Sequence, residues 1–105
     1  MYALNIQRAR DHGLPSYNAC RERAGMGKLR SFRGMSNNYR TVARLNSVYK
    51  SIDDLDLWVG IVCEDTNRDG AMGEVGSKIV PSGFKRIRDG DRFWYEYAFP
   101  KWIIK

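Results

Sequence analysis

The sequence predicts an all-α fold made of short helices with irregular connections between them. Apolar side chains recur at helical spacing, helix stop signals follow these stretches, and strand-like alternation does not recur. Hydrophobic residues make up 43% of the 105 residues, which is typical of a chain that packs a core. We expect one domain or part of one, because the chain is short and has no repeat, low-complexity tract or linker.

Two short helices are predicted in the first quarter of the chain, each followed by a stop signal. The first covers about residues 4–11 and is ended by Gly13 and Pro15. The second covers about residues 16–23, and Gly25 stands just past its end, where a left-handed glycine cap is common.

A third helix is predicted over about residues 37–50, with Ser36 as its N-terminal cap. Four apolar side chains fall at helical spacing on one of its faces, namely Val42, Leu45, Val48 and Tyr49. This face is most simply explained as part of the core.

The fourth predicted helix begins at Ser51, with Asp54 three residues later in the manner of a capping box. Its apolar stripe consists of Leu55, Trp58, Val59 and Val62. Three acids near its start complement the positive end of the helix dipole, and we expect this role for Asp53, Asp54 and Asp56 rather than a catalytic one.

The last third of the chain is predicted to contain a surface loop and one more helix. Residues 64–76 are polar and rich in glycine, which favours a loop. Pro81 is expected to break any helix before it, so the last helix is placed at about residues 82–89. Phe84 and Ile87 are expected to face inward on that helix.

The chain is basic, with 18 Lys and Arg against 12 Asp and Glu and a net charge of +6. Such a charge attracts nucleic acid, anionic lipid or the carboxylates of a ligand. The basic residues are dispersed among acids, so a solvated surface is the simplest interpretation. Arg88 and Arg92 around the aromatic residues 93–95 could stack on single-stranded nucleic acid, but core aromatics with snorkelling arginines are favoured.

Membrane and targeting signals are not recognised in the sequence. No apolar run approaches the roughly 20 residues that cross a bilayer, and the first residues become charged too early for a signal peptide. We therefore expect no membrane span, and the compartment stays open.

One stretch partly matches an EF-hand calcium loop. The match covers positions one, three, five and six, which are Asp65, Asn67, Asp69 and Gly70. Position twelve, where a bidentate Glu should close the coordination shell, is Gly76. We expect a solvated loop and no calcium site in this segment.

Nucleophilic and metal chemistry find little support in the sequence. His12 is the only histidine and has no companion at ligand spacing, so a structural role is expected. Cys20 and Cys63 form no C-x-x-C pair, and they are either one disulfide or two free thiols.

Three stretches of the chain resemble one family in order and spacing. Residues 4–18, LNIQRARDHGLPSYN, are similar to the L-N-x-Q-R-x-R-D-H-G-L-P-x-Y-N signature of animal-type haem peroxidases, the superfamily of myeloperoxidase, thyroid peroxidase and peroxinectin. Residues 52–60, IDDLDLWVG, resemble that family's V-D-D-I-D-L-W-x-G, and residues 84–96 resemble its F-x-x-L/I-R-D-G-D-R-F-W-Y/W-E. The resemblance covers about residues 3–97 and implies the C-terminal part of the all-α catalytic domain.

The resemblance implies roles for residues of the first helix beside haem b. Asn5 stands where the family has the asparagine that accepts a hydrogen bond from the second ring nitrogen of the proximal histidine. Arg8, one turn later, stands where the family has an arginine near a haem propionate, and Leu4 would line the proximal pocket. His12 is not the iron ligand by this analogy. The remaining signature residues are expected to form ion pairs and helix ends, namely Arg10, Asp11, His12, Arg88, Asp89, Asp91 and Arg92.

The resemblance also implies that the rest of the catalytic machinery lies upstream of these residues. The family's distal histidine and arginine, proximal histidine and calcium loop all precede the signature, so we expect the isolated chain to be inactive. The parent would use hydrogen peroxide to oxidise a small donor, would need the remainder of the peroxidase domain, and would be secreted or extracellular. An alternative is a catalytically dead peroxidase-like adhesion or interaction module. The family's usual disulfide is not expected, because Cys20 and Cys63 stand at other positions.

Overall fold

The structure is a computed structural model that describes residues 1–68 and 70–103. Within these ranges six α-helices account for most of the regular structure, and the only β-type pairing is an isolated bridge between Ser16 and Asp56. The helices are α1 (Tyr2–Asp11), α2 (Tyr17–Arg23), α3 (Tyr39–Val48), α4 (Leu57–Cys63), α5 (Glu74–Gly90) and α6 (Tyr95–Ala98). Two 3₁₀ turns lie at Phe32–Gly34 and Ile52–Asp54. The predicted all-α class is confirmed.

The first two helices follow their local signals closely. α1 begins two residues earlier than predicted and ends before Gly13, whose φ of +65° only glycine adopts readily. Ser16, predicted as the first residue of the second helix, is its N-cap, because its Oγ accepts a hydrogen bond from the Ala19 N–H at 3.3 Å. Gly25, at φ +75°, ends the second helical segment.

The predicted cap of α3 is wrong by two residues. Asn38 caps this helix, since its Oδ1 accepts hydrogen bonds from the N–H groups of Arg40 and Thr41. The Ser36 hydroxyl instead donates to Asp65 Oδ1, 29 residues away, at 2.6 Å, and its oxygen accepts from the N–H of Asn38, which precedes the helix. Such competition cannot be read from local spacing.

Two further predictions for the middle of the chain are wrong, one about a buried face and one about a helix start. Val48 is 74% exposed, whereas Val42 and Leu45 on the predicted face are buried. The segment that begins at Ser51 is a 3₁₀ turn, and α4 starts only at Leu57. The Ser51 hydroxyl accepts from Asp53 N–H, so the predicted capping box does not form.

The break predicted at Pro81 is wrong, because α5 runs through it without interruption. The proline removes the bond that a main-chain N–H would donate to the carbonyl four residues earlier, and its ring crowds that carbonyl, but the helix continues past it. Phe84 and Ile87 do not face inward, since they are 68% and 71% exposed. The second half of α5 leaves the body of the chain, and nothing in the described residues covers it.

Replacing Pro81 with alanine is expected to stabilise the chain. Proline in a helix interior costs about 3 kcal/mol relative to alanine, and this exposed site offers no packing that would be lost. We expect the unfolding free energy to rise by about 1–3 kcal/mol in chemical denaturation, with increased helical circular dichroism. Ser82→Ala, at the next exposed position, is the control, and equal stability of the Pro81 variant and the parent would contradict a continuous α5.

The core lies where α2, α4, the 3₁₀ turns and the start of α5 meet. Tyr17, Leu55 and Val75 are fully buried at its centre. Gly60 on α4 lies directly against the Tyr17 ring, and any Cβ at this position would overlap the ring. No helix in the described ranges is both long and apolar enough to cross a membrane.

Candidate functional site

One face of α1 borders an open, mainly apolar depression of about 410 Å³. Asn5 and Arg8 lie one turn apart on this face, and Arg8 Nη2 donates a hydrogen bond to Asn5 Oδ1 at 2.8 Å. The two side chains are therefore held together at the edge of the depression. Its lining consists of Asn5, Arg8, Ala9, His12, Leu14 and Trp58.

The other two predicted residues of α1 are placed differently from each other. Leu4 is 67% exposed and does not line the depression. The Nδ1 of His12 donates to the Arg8 carbonyl oxygen at 2.8 Å, because a carbonyl can only accept, and this bond helps to close the end of the helix. His12 thus both borders the depression and completes α1.

A polar clamp formed by Arg10, Asp56 and Tyr49 joins α1 to the body of the chain. Arg10 Nε donates to Asp56 Oδ1 at 3.0 Å, and Nη2 donates to Oδ2 at 2.7 Å. The Tyr49 hydroxyl donates to the same Oδ2 at 2.7 Å. The hydrogen bonds from Arg10 lower the pKa of Asp56 below its usual range, while burial and the bond to Asp56 raise the pKa of Tyr49 to about 12. The clamp is therefore an ionised carboxylate beside a neutral phenol at physiological pH.

The remaining signature residues make local contacts on the surface. Asp11 accepts a hydrogen bond from Gln7 at 2.8 Å. Arg88 and Asp89 pair with each other at 2.8 Å, Asp91 Oδ1 accepts from the Phe93 N–H, and the Arg92 guanidinium lies 4.7 Å from the Phe93 ring centre. None of these side chains lines the depression.

Glu64 forms a buried network that sequence reasoning missed. Its Oε2 accepts hydrogen bonds from the Tyr17 hydroxyl at 2.9 Å and the Val75 N–H at 3.1 Å, and its Oε1 accepts from the Gly76 N–H at 2.8 Å. This carboxylate therefore satisfies the first N–H groups of α5 and links that helix to α2. Burial and the bond to Glu64 raise the pKa of the Tyr17 phenol, which stays neutral. The only signal in the sequence was an acid ten residues before a glycine-rich helix start.

The structure settles the alternatives for the cysteines, and it shows where one carboxylate of the acidic loop binds. Cys20 and Cys63 are both free and partly buried, and burial raises the pKa of each thiol, which disfavours the reactive thiolate. In the loop, Asp65 binds Ser36 and Asn37 through its two carboxylate oxygens, while Asp69 lies outside the described residues. The described part of the chain contains no group of three or more His, Cys, Asp or Glu able to hold a metal ion.

The chain is thus an all-α body whose first helix places an amide and a guanidinium beside an apolar depression. The sequence profile of the animal haem peroxidase family matches residues 1–102. The chain belongs to the animal haem peroxidase family, a family of oxidoreductases.

Individual relatives agree with this assignment. The chain is 44% identical over 97 residues to the peroxidasin homolog pxn-2 of Caenorhabditis elegans, covering 90% of this chain and 7% of that protein. It is 38% identical over 97 residues to human myeloperoxidase, covering 90% of this chain and 13% of that protein. Among solved structures, peroxidase A from Dictyostelium discoideum superposes with a TM-score of 0.81 at 39% identity, covering 88% of this chain and 18% of that one. A fatty acid alpha-dioxygenase from Oryza sativa superposes with a TM-score of 0.77 at 26% identity, covering 88% and 15%. The chain therefore spans less than a fifth of the length of these proteins.

Proposed function

We propose that the chain is the C-terminal part of a haem peroxidase catalytic domain and forms the proximal side of a haem b pocket. The observation that carries this proposal is the hydrogen-bonded pair of Asn5 and Arg8 at the edge of an open apolar depression. Bound haem would supply the redox chemistry by which hydrogen peroxide oxidises a small donor. Asn5 and Arg8 would help to hold and orient it.

The chemistry of the pair fits a haem with an axial imidazole. An amide oxygen has two lone pairs, and the bond from Arg8 occupies only one of those on Asn5 Oδ1. The other is available to an imidazole N–H, which would fix the ring orientation and raise the basicity of the ligand. Arg8 retains further N–H groups for a propionate carboxylate, a pairing suited to the planar guanidinium.

The axial histidine and the groups that cleave peroxide are proposed to come from the remainder of the domain. Large apolar side chains of the C-terminal third are exposed in this chain, as expected for a surface that packs against further polypeptide. They include Phe84, Ile87, Phe93, Phe99 and Trp102. In addition, the buried Nε1 of Trp94 has no hydrogen-bond partner within the described residues. We assign no calcium site to this segment, and we propose an extracellular location for the whole protein from the family resemblance alone.

The 105-residue chain alone is expected to bind haemin without a defined axial ligand. Mixed with haemin and hydrogen peroxide, it should give neither the sharp Soret band of a ligated haem nor turnover of a phenolic donor. The reason is that the axial histidine of the family belongs to polypeptide outside these residues, while His12, whose Nδ1 bonds the Arg8 carbonyl, is assigned to the end of α1 and not to the iron.

The matched comparison for this experiment is His12→Ala in the same chain. Equal, background-level absorbance and turnover in both proteins would support the proposal. Stoichiometric turnover in the parent that disappears in His12→Ala would make His12 the ligand and overturn the assignment of Asn5 and Arg8.

A further inference from the structure

We propose that Asp56 is a positioning residue that sets the rotation of α1, and so turns Asn5 and Arg8 toward the depression. The inference rests on the proposed function of that pair. It assigns to Asp56 a task different from the helix-start role that its position in the sequence suggests.

No residue of α1 is fully buried, so packing alone restrains this helix weakly. A ring contact and an ion pair join its side chains to α4 and its N-cap, one toward each end of α1. Near the start, the Tyr2 ring lies 5.9 Å from the Trp58 ring, and near the end Arg10 binds Asp56 with two hydrogen bonds.

The Asp56 side chain makes this contact and does not cap its own helix. Asp56 is the N-cap residue of α4, yet its side chain makes no capping hydrogen bond there. Aspartate at this position ordinarily accepts from the first free N–H groups of the helix. Here both oxygens point to Arg10 and Tyr49 instead, in a side chain that is only 12% exposed.

The geometry of the helix explains why this contact controls rotation. At 3.6 residues per turn, Arg8 and Arg10 lie about 160° apart around the axis of α1. One flank of the helix is therefore anchored to α4 through Arg10, while the opposite flank carries Arg8 at the depression. Two parallel hydrogen bonds fix the orientation of a guanidinium as well as its distance, which a single contact would not do.

Tyr49 bonds the Asp56 carboxylate to the body of the chain. It follows α3 directly, and its hydroxyl donates to Asp56 Oδ2 from a half-buried position. The carboxylate is thereby bonded to the body of the chain as well as to Arg10. We expect loss of this hydroxyl to weaken the clamp less than loss of the Asp56 charge, because the two Arg10 bonds remain.

The test uses the full-length, haem-loaded protein with the variants Asp56→Asn and Tyr49→Phe. Amide hydrogen exchange is expected to show at least about a tenfold loss of protection in α1 for Asp56→Asn, with α2 unchanged, since no described side chain of α2 bonds to the Asp56 carboxylate. The midpoint potential of the iron should move in the same direction as in Asn5→Ala. In the double variant Asp56→Asn with Asn5→Ala the two shifts should fail to add, because both act through one side chain.

Two further variants keep the result interpretable. Asp54→Asn removes a neighbouring exposed carboxylate with no side-chain hydrogen bond among the described contacts, and it should change neither measurement. If Asp56→Asn fails to fold, Arg10→Gln breaks the same pair from its exposed partner and should give the same loss of protection and the same shift.

The outcomes separate this inference from the proposed function. If Asn5→Ala shifts the potential while Asp56→Asn and Arg10→Gln leave both α1 protection and the potential unchanged, the positioning role is overturned and the proposed function stands. If Asn5→Ala and Arg8→Ala leave the potential unchanged, the proposed function fails and the positioning role fails with it.

Discussion

Replacing Asn5 with alanine in the full-length, haem-loaded protein is expected to lower peroxidase turnover by about 10- to 100-fold, the usual effect of losing a hydrogen-bond partner of a metal ligand. The iron's midpoint potential should rise, because an imidazole that loses its acceptor becomes a weaker electron donor. Asn5→Asp should move the potential the other way, since a carboxylate is a stronger acceptor than an amide. The measurements are steady-state turnover and spectroelectrochemical titration.

The two Asn5 variants are expected to shift the midpoint potential in opposite directions, which simple loss of structure would not do. A damaged helix would shift both Asn5 variants in one direction, whereas a hydrogen bond to the ligand predicts opposite directions. Asn46→Ala, an exposed asparagine on α3, is the matched control and should behave as wild type. Wild-type turnover and potential in Asn5→Ala would show that this amide does not contact the axial ligand.

The largest loss of stability is expected from Glu64→Ala. This change leaves the Tyr17 hydroxyl and the N–H groups of Val75 and Gly76 without their acceptor in a buried region. Each unsatisfied buried group costs about 1–3 kcal/mol, so the unfolding free energy should fall by about 3 kcal/mol or more. Chemical denaturation followed by circular dichroism measures this difference.

Glu64→Gln separates the loss of acceptors from the loss of volume. It keeps the shape but replaces one carboxylate oxygen with a donor that faces other donors, so its stability should lie between those of the parent and Glu64→Ala. Glu22→Ala removes an exposed glutamate whose side chain makes a 3.4 Å surface pair with Lys28, and should change stability by less than about 0.5 kcal/mol. A Glu64→Ala protein as stable as the Glu22→Ala control would contradict the buried network.

Those parts of the fold that depend on local chemistry could be predicted from the sequence. The ends of α1 and α2 follow from Gly13, Gly25 and Ser16, because backbone conformation and capping involve residues only a few positions apart. The all-α class followed for the same reason, since recurring stop signals separate short amphipathic segments.

The errors arose where a distant partner decides the outcome. Ser36 looks like a cap until Asp65 is known to bind it, and Phe84 looks like a core residue until α5 is seen to leave the body. Pro81 predicts a break from its missing N–H, yet the helix already begins at Glu74, where the buried Val75 and Gly76 anchor its first turn. Burial and competition of this kind are properties of the packed chain.

In the candidate site, too, the residues identified from the sequence differ from those whose role depends on distant partners. Asn5 and Arg8 were identified from the family signature and their one-turn spacing, and the structure places them in contact. The contributions of Asp56 and Glu64 were missed, because each acts on residues more than 40 positions earlier in the chain. Their role in the sequence, as acids near a helix start or end, gave no indication of those partners.

The central claim is that α1 presents Asn5 and Arg8 to the proximal side of a haem. A crystal structure of the full-length protein with haem bound tests it most directly. We predict Asn5 Oδ1 at about 2.7–3.2 Å from the second ring nitrogen of the axial imidazole, with an Arg8 nitrogen at hydrogen-bond distance from a propionate oxygen. Asn5 and Arg8 facing solvent, or the axial imidazole bound to some other acceptor, would contradict it.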